Sequence, residues 1–409
     1  MNGSGQSTFS TYLDKLENLG IEPSLSGILA LCRELDDPQT KFDLIQVTGT
    51  NGKTSTSRII QSLLTAHGQR VGVYTSPHLI SYRERIMVDG AEIAEDDFAD
   101  IGRLVQDKVD AAEAALDGRK ITQFEVLTAT ALAYFAFKAR VDVAVLEVGM
   151  GARWDATSVG DPKVGVITNV SLDHADWLGP EIADIAAEKA YVIKENNRVA
   201  IGPVSTEVMT IFEKRAHDVN ASLLRYGSDF EVAASTGKLI FSTPLGAYKD
   251  IDLPPGGPWQ ADNALLGTVS AEAYLKRALE IDKVRAVLFN STVPGRAELI
   301  RSRPDLLLDG AHNPAGVERF LQFLNSEYDD RRLVFLISIL KDKEASAMVE
   351  SICRINAEII FTASDNTRVS DPIVLAKIAK SLGARAISVT DPREGLEKAK
   401  SIAGRKGLV

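Results

Sequence analysis

Val47-Thr48-Gly49-Thr50-Asn51-Gly52-Lys53-Thr54-Ser55 decides how this chain is read. An apolar run over 42–47 precedes it, and residues 57–64 behind it have helical spacing. A strand, a glycine-containing turn, a lysine and a hydroxyl residue at a helix start make a phosphate cradle. The turn's N–H groups and the helix N-terminus face an anion, and Lys53 adds a point charge. The spacing is a variant. In the common pattern G-x-x-x-x-G-K-[ST] the first glycine would fall at Val47, whereas the extra glycine here is Gly49. The bland alternative is a strand-to-helix turn with a lysine nearby. The strand before and the helix after favour the cradle, and with it a nucleoside triphosphate.

Outward from this stretch, short β-branched runs alternate with helical segments. Strands are predicted over 42–48, 71–75, 141–148, 164–170 and 198–201. Helices are predicted over 54–66, 96–116, 123–138, 180–194 and 205–218. Continuous apolar strands between helices predict an α/β fold, a P-loop-type and mostly parallel sheet covered on both faces. Residues 229–253 break the pattern with Gly and Pro turns and predict hairpins at the sheet edge. A second β/α series over 306–308, 332–339, 358–361 and 386–389 predicts a smaller, Rossmann-like C-terminal domain. The predicted division is therefore 1–292, a linker at 293–296, and 297–409. A length of 409 residues suits two domains.

The net charge of −10 argues against nucleic acid as a general partner. No apolar run approaches the roughly 18 residues of a membrane span, so no membrane partner is expected. The opening MNGSGQST has neither the basic nor the apolar region of a signal peptide. Cys32 and Cys353 lie far apart and form no disulfide framework, which fits a reducing, cytoplasmic setting.

Parallel sheets bind ligands at the carboxyl ends of their strands. One strand ends in Leu146-Glu147-Val148-Gly149, placing a carboxylate where a nucleotide site needs a magnesium ligand. The alternative is a carboxylate that caps the following turn. Asp173 and His174 close the next strand's exit and reach the same edge. A lone histidine is more often structural, but sharing an edge with Glu147 favours a role. Lys189 sits in an apolar-flanked helical stretch, where a bare ammonium is costly unless it snorkels to water. Ser76, in Thr75-Ser76-Pro77-His78-Leu79, can offer an oxygen ligand. Asp309 and His312 follow the first strand of the second domain. Arg296, on the linker, can reach a phosphate when domains close.

Together these segments resemble the folylpolyglutamate synthase/dihydrofolate synthase family of Mur ligases. The matching motifs are TGTNGKTS at 48–55, TSPHL at 75–79, QFEVLTA at 123–129, EVGMGARWDAT at 147–157, AAEKAYVIK at 186–194, QADNA at 260–264 and DGAHNP at 309–314. The resemblance implies an ATP-dependent ligase. It would join L-glutamate to dihydropteroate, to folyl-polyglutamates, or to both, through an acyl phosphate. Gly49, Thr50, Asn51, Gly52, Lys53, Thr54 and Ser55 would hold the ATP phosphates. Ser76 and Glu147 would bind one magnesium ion, and Glu147, His174 and a carbamylated Lys189 a second. Asn263, Arg296, Asp309 and His312 match nucleotide contacts. Phe124, Asp155 and Ala156 fall where the family binds the pterin or its linker. Lys53, Glu147, His174 and Lys189 would carry the chemistry. A monomer is implied.

The chain departs from the family at Thr54, Ala152 and Ser338, where glycine is usual, and at Leu408-Val409, where the family adds a last strand. Two other readings stand beside this one. A cell-wall ligase shares the ATP site, but TSPHL and QFEVLTA and the short stretch before the first strand argue against it. A non-catalytic nucleotide-binding protein would need the cradle, but not Glu147, His174, Lys189 and Asp309 together.

Overall fold

The computed structural model describes residues 8–20, 22–235, 237–254, 256–257, 259–341, 343–366 and 368–409. They form two compact units. The first takes the described residues up to Val170, then His174–Leu253 and Ala261–Ser291. The second takes Ser171–Asp173, Pro254–Gln260 and Thr292–Val409. Two short segments inside the predicted first domain thus group with the second unit, against the single boundary expected at 293–296. Among the described residues, no helix is long and apolar enough to cross a membrane.

The first unit is built on eight strands: β1 (Asp43–Thr48), β2 (Val71–Tyr74), β3 (Ile86–Val88), β4 (Ala91–Glu92), β5 (Val143–Glu147), β6 (Val164–Ile167), β7 (Arg198–Ile201) and β8 (Ser222–Arg225). Their order is β4-β3-β2-β5-β1-β6-β7-β8. Strands β2, β5, β1, β6, β7 and β8 run parallel, and β3 and β4 add an antiparallel edge. Side chains alternate between two cores, as the pleat requires. Val143 and Val145 join Ile45, Val47, Val71 and Val73 under the helix Lys53–Ala66. Ala144 and Leu146 join Leu44 and Tyr74 under the helices Glu95–Ala114 and Gln123–Ala133. Each fully buried Val or Leu here contributes about 1.5–3 kcal/mol.

Several elements differ from expectation. The hairpins over 229–253 form β9 (Glu231–Ser235), β10 (Lys238–Thr243) and β11 (Gly246–Ile251), which pair with one another as a separate antiparallel sheet. Phe241, Tyr248 and Ile251 carry that sheet onto the core beneath Lys53–Ala66. The helix expected over 180–194 is Ile182–Lys189 with a 3₁₀ turn at Ala190–Val192. The Asn197 side chain stops it there, donating to the Val192 carbonyl at 3.0 Å and accepting from Lys194 N–H at 3.3 Å.

The second unit pairs β12 (Glu298–Ile300) with β13 (Leu306–Leu308) as an antiparallel ribbon. A parallel sheet follows: β14 (Val334–Ile337), β15 (Glu358–Phe361) and β16 (Arg385–Ser388). The stretch 306–308 was expected to open this parallel series; its ladder partner is instead β12. Leu408 bridges both Asp305 and Leu333. Helix starts are written plainly here. Asn313-Pro314, Asp371-Pro372 and Asp391-Pro392 each place a capping side chain before a proline in the first turn, and each cap accepts a backbone N–H.

Candidate active site

The register of the sheet builds the site. Val47 pairs with Glu147 on one side and Thr48 with Ile167 on the other, so the three strands end level. Gly49 leaves β1 at φ +145°, and an added Cβ would lie 1.8 Å from Thr168 Oγ1. Gly52, at φ +85°, starts the helix, and a Cβ there would meet Asn263 Oδ1 at 2.3 Å. Only glycine fits either turn. Asn263 is thereby placed against the Gly52 turn.

Thr168 and Asn169 stitch the loop to β6. Asn169 accepts from Asn51 N–H at 3.1 Å and donates to Asn51 O at 2.8 Å, and Thr50 N–H donates to Asn169 O at 3.0 Å. Thr168 Oγ1 donates to Asn51 O at 2.6 Å. The sequence reading passed over both residues. Their position just after a central strand was the available signal.

Lys53 folds back on its own loop, donating to Gly49 O and Thr50 O at 3.1 Å each. Lys189, 4 % exposed, donates to Gly49 O at 2.9 Å. Two ammonium groups therefore converge on one short loop. The snorkelling alternative for Lys189 is ruled out by its burial.

Glu147 is 1 % exposed. Its Oε1 accepts from Thr54 Oγ1 at 3.0 Å, and its Oε2 faces Ser76 N–H at 3.4 Å. The structure thus brings Thr54, Ser76 and Glu147 together at the cradle's mouth, with Ser55 in the same first helical turn. A carboxylate flanked by two hydroxyl residues is a hard-oxygen donor set, which suits magnesium rather than a softer metal. Among the described residues no three His, Cys, Asp or Glu side chains cluster as a cage. A magnesium ion that shares phosphate oxygens and water needs none. His174 caps the short helix Ala175–Leu178 with a left-handed φ of 55°.

Asp155, 4 % exposed, holds the turn after β5. It accepts from Met150 N–H at 3.0 Å, Thr157 N–H at 2.9 Å and Thr157 Oγ1 at 2.6 Å. Burial pushes its carboxyl up, and these hydrogen bonds oppose the shift. Phe124 lies beside the same turn: a Cβ on Gly149 would touch Phe124 Cζ at 3.0 Å and Asp155 Oδ2 at 3.1 Å. Ala156 is buried in the core. Lys194 braces the turn by donating to Ser158 O and Gly160 O at 2.9 and 2.6 Å. Glu125 of QFEVLTA is structural. It is 4 % exposed and accepts from Ile28 N–H, Thr122 N–H and Arg119.

The second unit gathers the remaining residues. Asp309 accepts from Ala297 N–H and Ala311 N–H, both at 2.8 Å, which ties the linker to the end of β13. Burial raises its carboxyl's affinity for a proton, with these bonds, Arg296 and His312 opposing. Arg296 reaches Gly310 O at 3.4 Å. Asp173, of the Ser171–Asp173 segment, accepts from Lys343 at 2.9 Å and Asn313 at 3.0 Å, with His312 Nε2 at 3.4 Å.

Comparison with known proteins matches residues 47–271 to the Mur ligase middle domain and residues 295–409 to the Mur ligase glutamate ligase domain. The dihydrofolate synthase/folylpolyglutamate synthase of Mycobacterium tuberculosis is 40% identical over 380 residues, covering 88% of this chain and 78% of that protein. A solved Mycobacterium tuberculosis folylpolyglutamate synthase complexed with ADP matches at TM-score 0.92 and 37% identity, covering 98% of this chain and 94% of that one. A bifunctional folylpolyglutamate synthase/dihydrofolate synthase solved with manganese, AMPPNP and L-glutamate matches at TM-score 0.86 and 27% identity, covering 99% and 94%. Proteins of this fold thus take a nucleotide and a divalent metal. The chain belongs to the folylpolyglutamate synthase/dihydrofolate synthase family of Mur ligases.

Proposed function

We propose that this protein is an acid–amino-acid ligase. It joins L-glutamate to dihydropteroate, to folyl-polyglutamates, or to both, and converts ATP to ADP and phosphate. One observation carries the reading. The buried Glu147 is held by Thr54 at the mouth of a glycine loop on which Lys53 and Lys189 both converge. A switch protein needs the loop and Lys53, but not a second buried lysine on the loop's carbonyl.

Joining a carboxylate to an amine in water is uphill, so the carboxylate must be activated. The γ-phosphoryl group passes from ATP to the folate carboxylate, giving ADP and an acyl phosphate. The amine of L-glutamate attacks the acyl carbon, phosphate leaves, and the amine loses its proton. Lys53 exchanges the loop carbonyls for phosphate oxygens and offsets the charge that gathers there. The backbone N–H groups that open the helix Lys53–Ala66 orient the phosphates, while those of Thr50 and Asn51 are taken by Asn169. Arg296 and Asp309 serve as nucleotide contacts, and Phe124 and Asp155 fix the pterin end. Glu147 with Ser76 and Thr54 would hold a magnesium ion, which would supply charge compensation at the phosphates. We assign a second ion to Glu147, His174 and Lys189, the lysine carrying a carbamate. Carbamylation turns a costly buried ammonium into an anion suited to a cation. The reading includes a cytoplasmic monomer.

The test is ADP release with dihydropteroate and with a tetrahydrofolate, each with and without L-glutamate and Mg²⁺. Release that requires all components of either set is expected. Release indifferent to the folate and to L-glutamate would sink the proposal, as would turnover only with a UDP-muropeptide.

A further inference from the structure

Arg58 has no part in the chemistry above, yet its surroundings in the first unit are unusual. It lies four residues beyond Thr54 on the helix Lys53–Ala66, and residues i and i+4 share one helix face. Its Nε is shut off from solvent and has no hydrogen-bond partner among the described residues. Its Nη2 reaches Glu84 O at 3.5 Å. Burial weakens its hold on its proton, and the carboxylates of Glu147, Glu92 and Glu84 counter that. Arg58 is half-buried, and a donor shut off from water and left unfilled is costly.

The nearby carboxylates offset part of that cost, and the Nη2 contact closes a circuit of hydrogen bonds. Thr54 donates to Glu147, and Glu147 faces Ser76 N–H. Ser76 opens a loop that Glu84 organises, its carboxylate accepting from Leu79, Ile80 and Ser81 N–H at 2.9, 2.7 and 2.6 Å. Burial pushes the Glu84 carboxyl up, but these three donors together hold it below its ordinary value. Arg58 takes the Glu84 carbonyl and returns the circuit to the Thr54 helix.

We propose that Arg58 is a positioning residue: it pins the 76–84 loop to the cradle helix and so sets Ser76 against Glu147 for the metal–nucleotide complex. The proposal rests on the ligase reading only in naming that complex. Glu147 and the loop are then one unit. Binding at the first orders the second, and loosening the second weakens the first.

The test uses the full chain and needs no turnover. Mn²⁺ binding in the presence of AMPPNP is measured by electron paramagnetic resonance. Amide hydrogen exchange is followed at 79–81 in the ligand-free protein. In Arg58→Gln, Mn²⁺ binding is expected to weaken about tenfold, the usual effect of losing a supporting partner of a metal ligand. Exchange at 79–81 should accelerate about tenfold, while β1 and β5 amides stay protected. Wild-type behaviour in either arm overturns the proposal. If Arg58→Gln does not fold, the wild type decides alone: Mn²⁺–AMPPNP must slow exchange at 79–81, and no slowing overturns it. A wild type that binds Mn²⁺–AMPPNP as expected but ligates nothing removes the ligase reading and leaves the role of Arg58 standing.

Discussion

Thr54→Val tests the heart of the site. The substitution keeps side-chain shape and deletes one hydroxyl, the donor to Glu147 Oε1 at 3.0 Å. A hydrogen bond to a charged group contributes about 1.5–3 kcal/mol. Glu147 is 1 % exposed, so water does not readily replace the donor. Ser76 N–H still faces Oε2 at 3.4 Å, which keeps the loss near the lower end, at about 2 kcal/mol. In a domain-sized unit each kcal/mol moves the midpoint by about 2–4 °C, so ligand-free protein should melt about 4–8 °C lower. On the proposed reading, a cation on Glu147 would take over the work of the lost donor. With Mg–AMPPNP the gap between variant and wild type should therefore shrink by about half or more. Scanning calorimetry with and without Mg–AMPPNP reads both quantities. Equal melting of the ligand-free proteins would refute the claim that Thr54 supports Glu147. An unchanged gap with ligand would refute the metal's place on Glu147.

Gly52→Ala should lower nucleotide affinity about tenfold or more by calorimetric titration, because it forces a left-handed alanine, about 1–2 kcal/mol, and drives Cβ to 2.3 Å from Asn263 Oδ1. Gly68→Ala has a similar φ of +88° but open space, so it should cost stability and leave nucleotide binding intact. Wild-type protein should lose ligation in CO₂-depleted buffer and regain it with bicarbonate, whereas Lys189→Ala should not respond; a response in the variant removes the carbamate. Glu272, 2 % exposed, accepts from Tyr248 and from Thr243 at 3.1 Å, and burial raises its pKa despite those bonds. A raised folded value means the native state binds more protons between the ordinary carboxyl range and that value. Stability is therefore lost as pH rises through that window and stays low above it. Glu272→Gln should gain on wild type over the same window in urea melts, and a pH-independent difference contradicts the assignment.

Much of the first unit was legible because its signals are local. The apolar runs that became β1, β2, β5, β6 and β7 are continuous, as strands buried on both faces must be. Gly49 and Gly52 mark turns that no other residue tolerates. Short strands such as β3, β4 and β8 were not legible. Strands β3 and β4 have two or three residues and so no periodicity, and β8, unlike the equally short β2, β6 and β7, has no fully buried residue and lacks a continuous apolar run. The hairpin region was placed correctly along the chain, but its pairing partner was not. Strand partners are chosen by which faces remain to be buried, and Phe241, Tyr248 and Ile251 take that choice.

Residue type and order by themselves determined the phosphate cradle, the alternating α/β plan and the set of polar residues to inspect, because each rests on interactions within a few residues. Only the tertiary structure decided what those residues touch. It turned Thr54 from a departure into the hydroxyl on Glu147. It brought Lys189 onto the Gly49 carbonyl from 140 residues away. It paired Asp173 with Lys343 and Asn313, 170 and 140 residues further along the chain. Hydrogen bonds and ion pairs are satisfied by whatever packing brings within about 3 Å, and that proximity is a property of the folded sheet register, not of spacing along the chain.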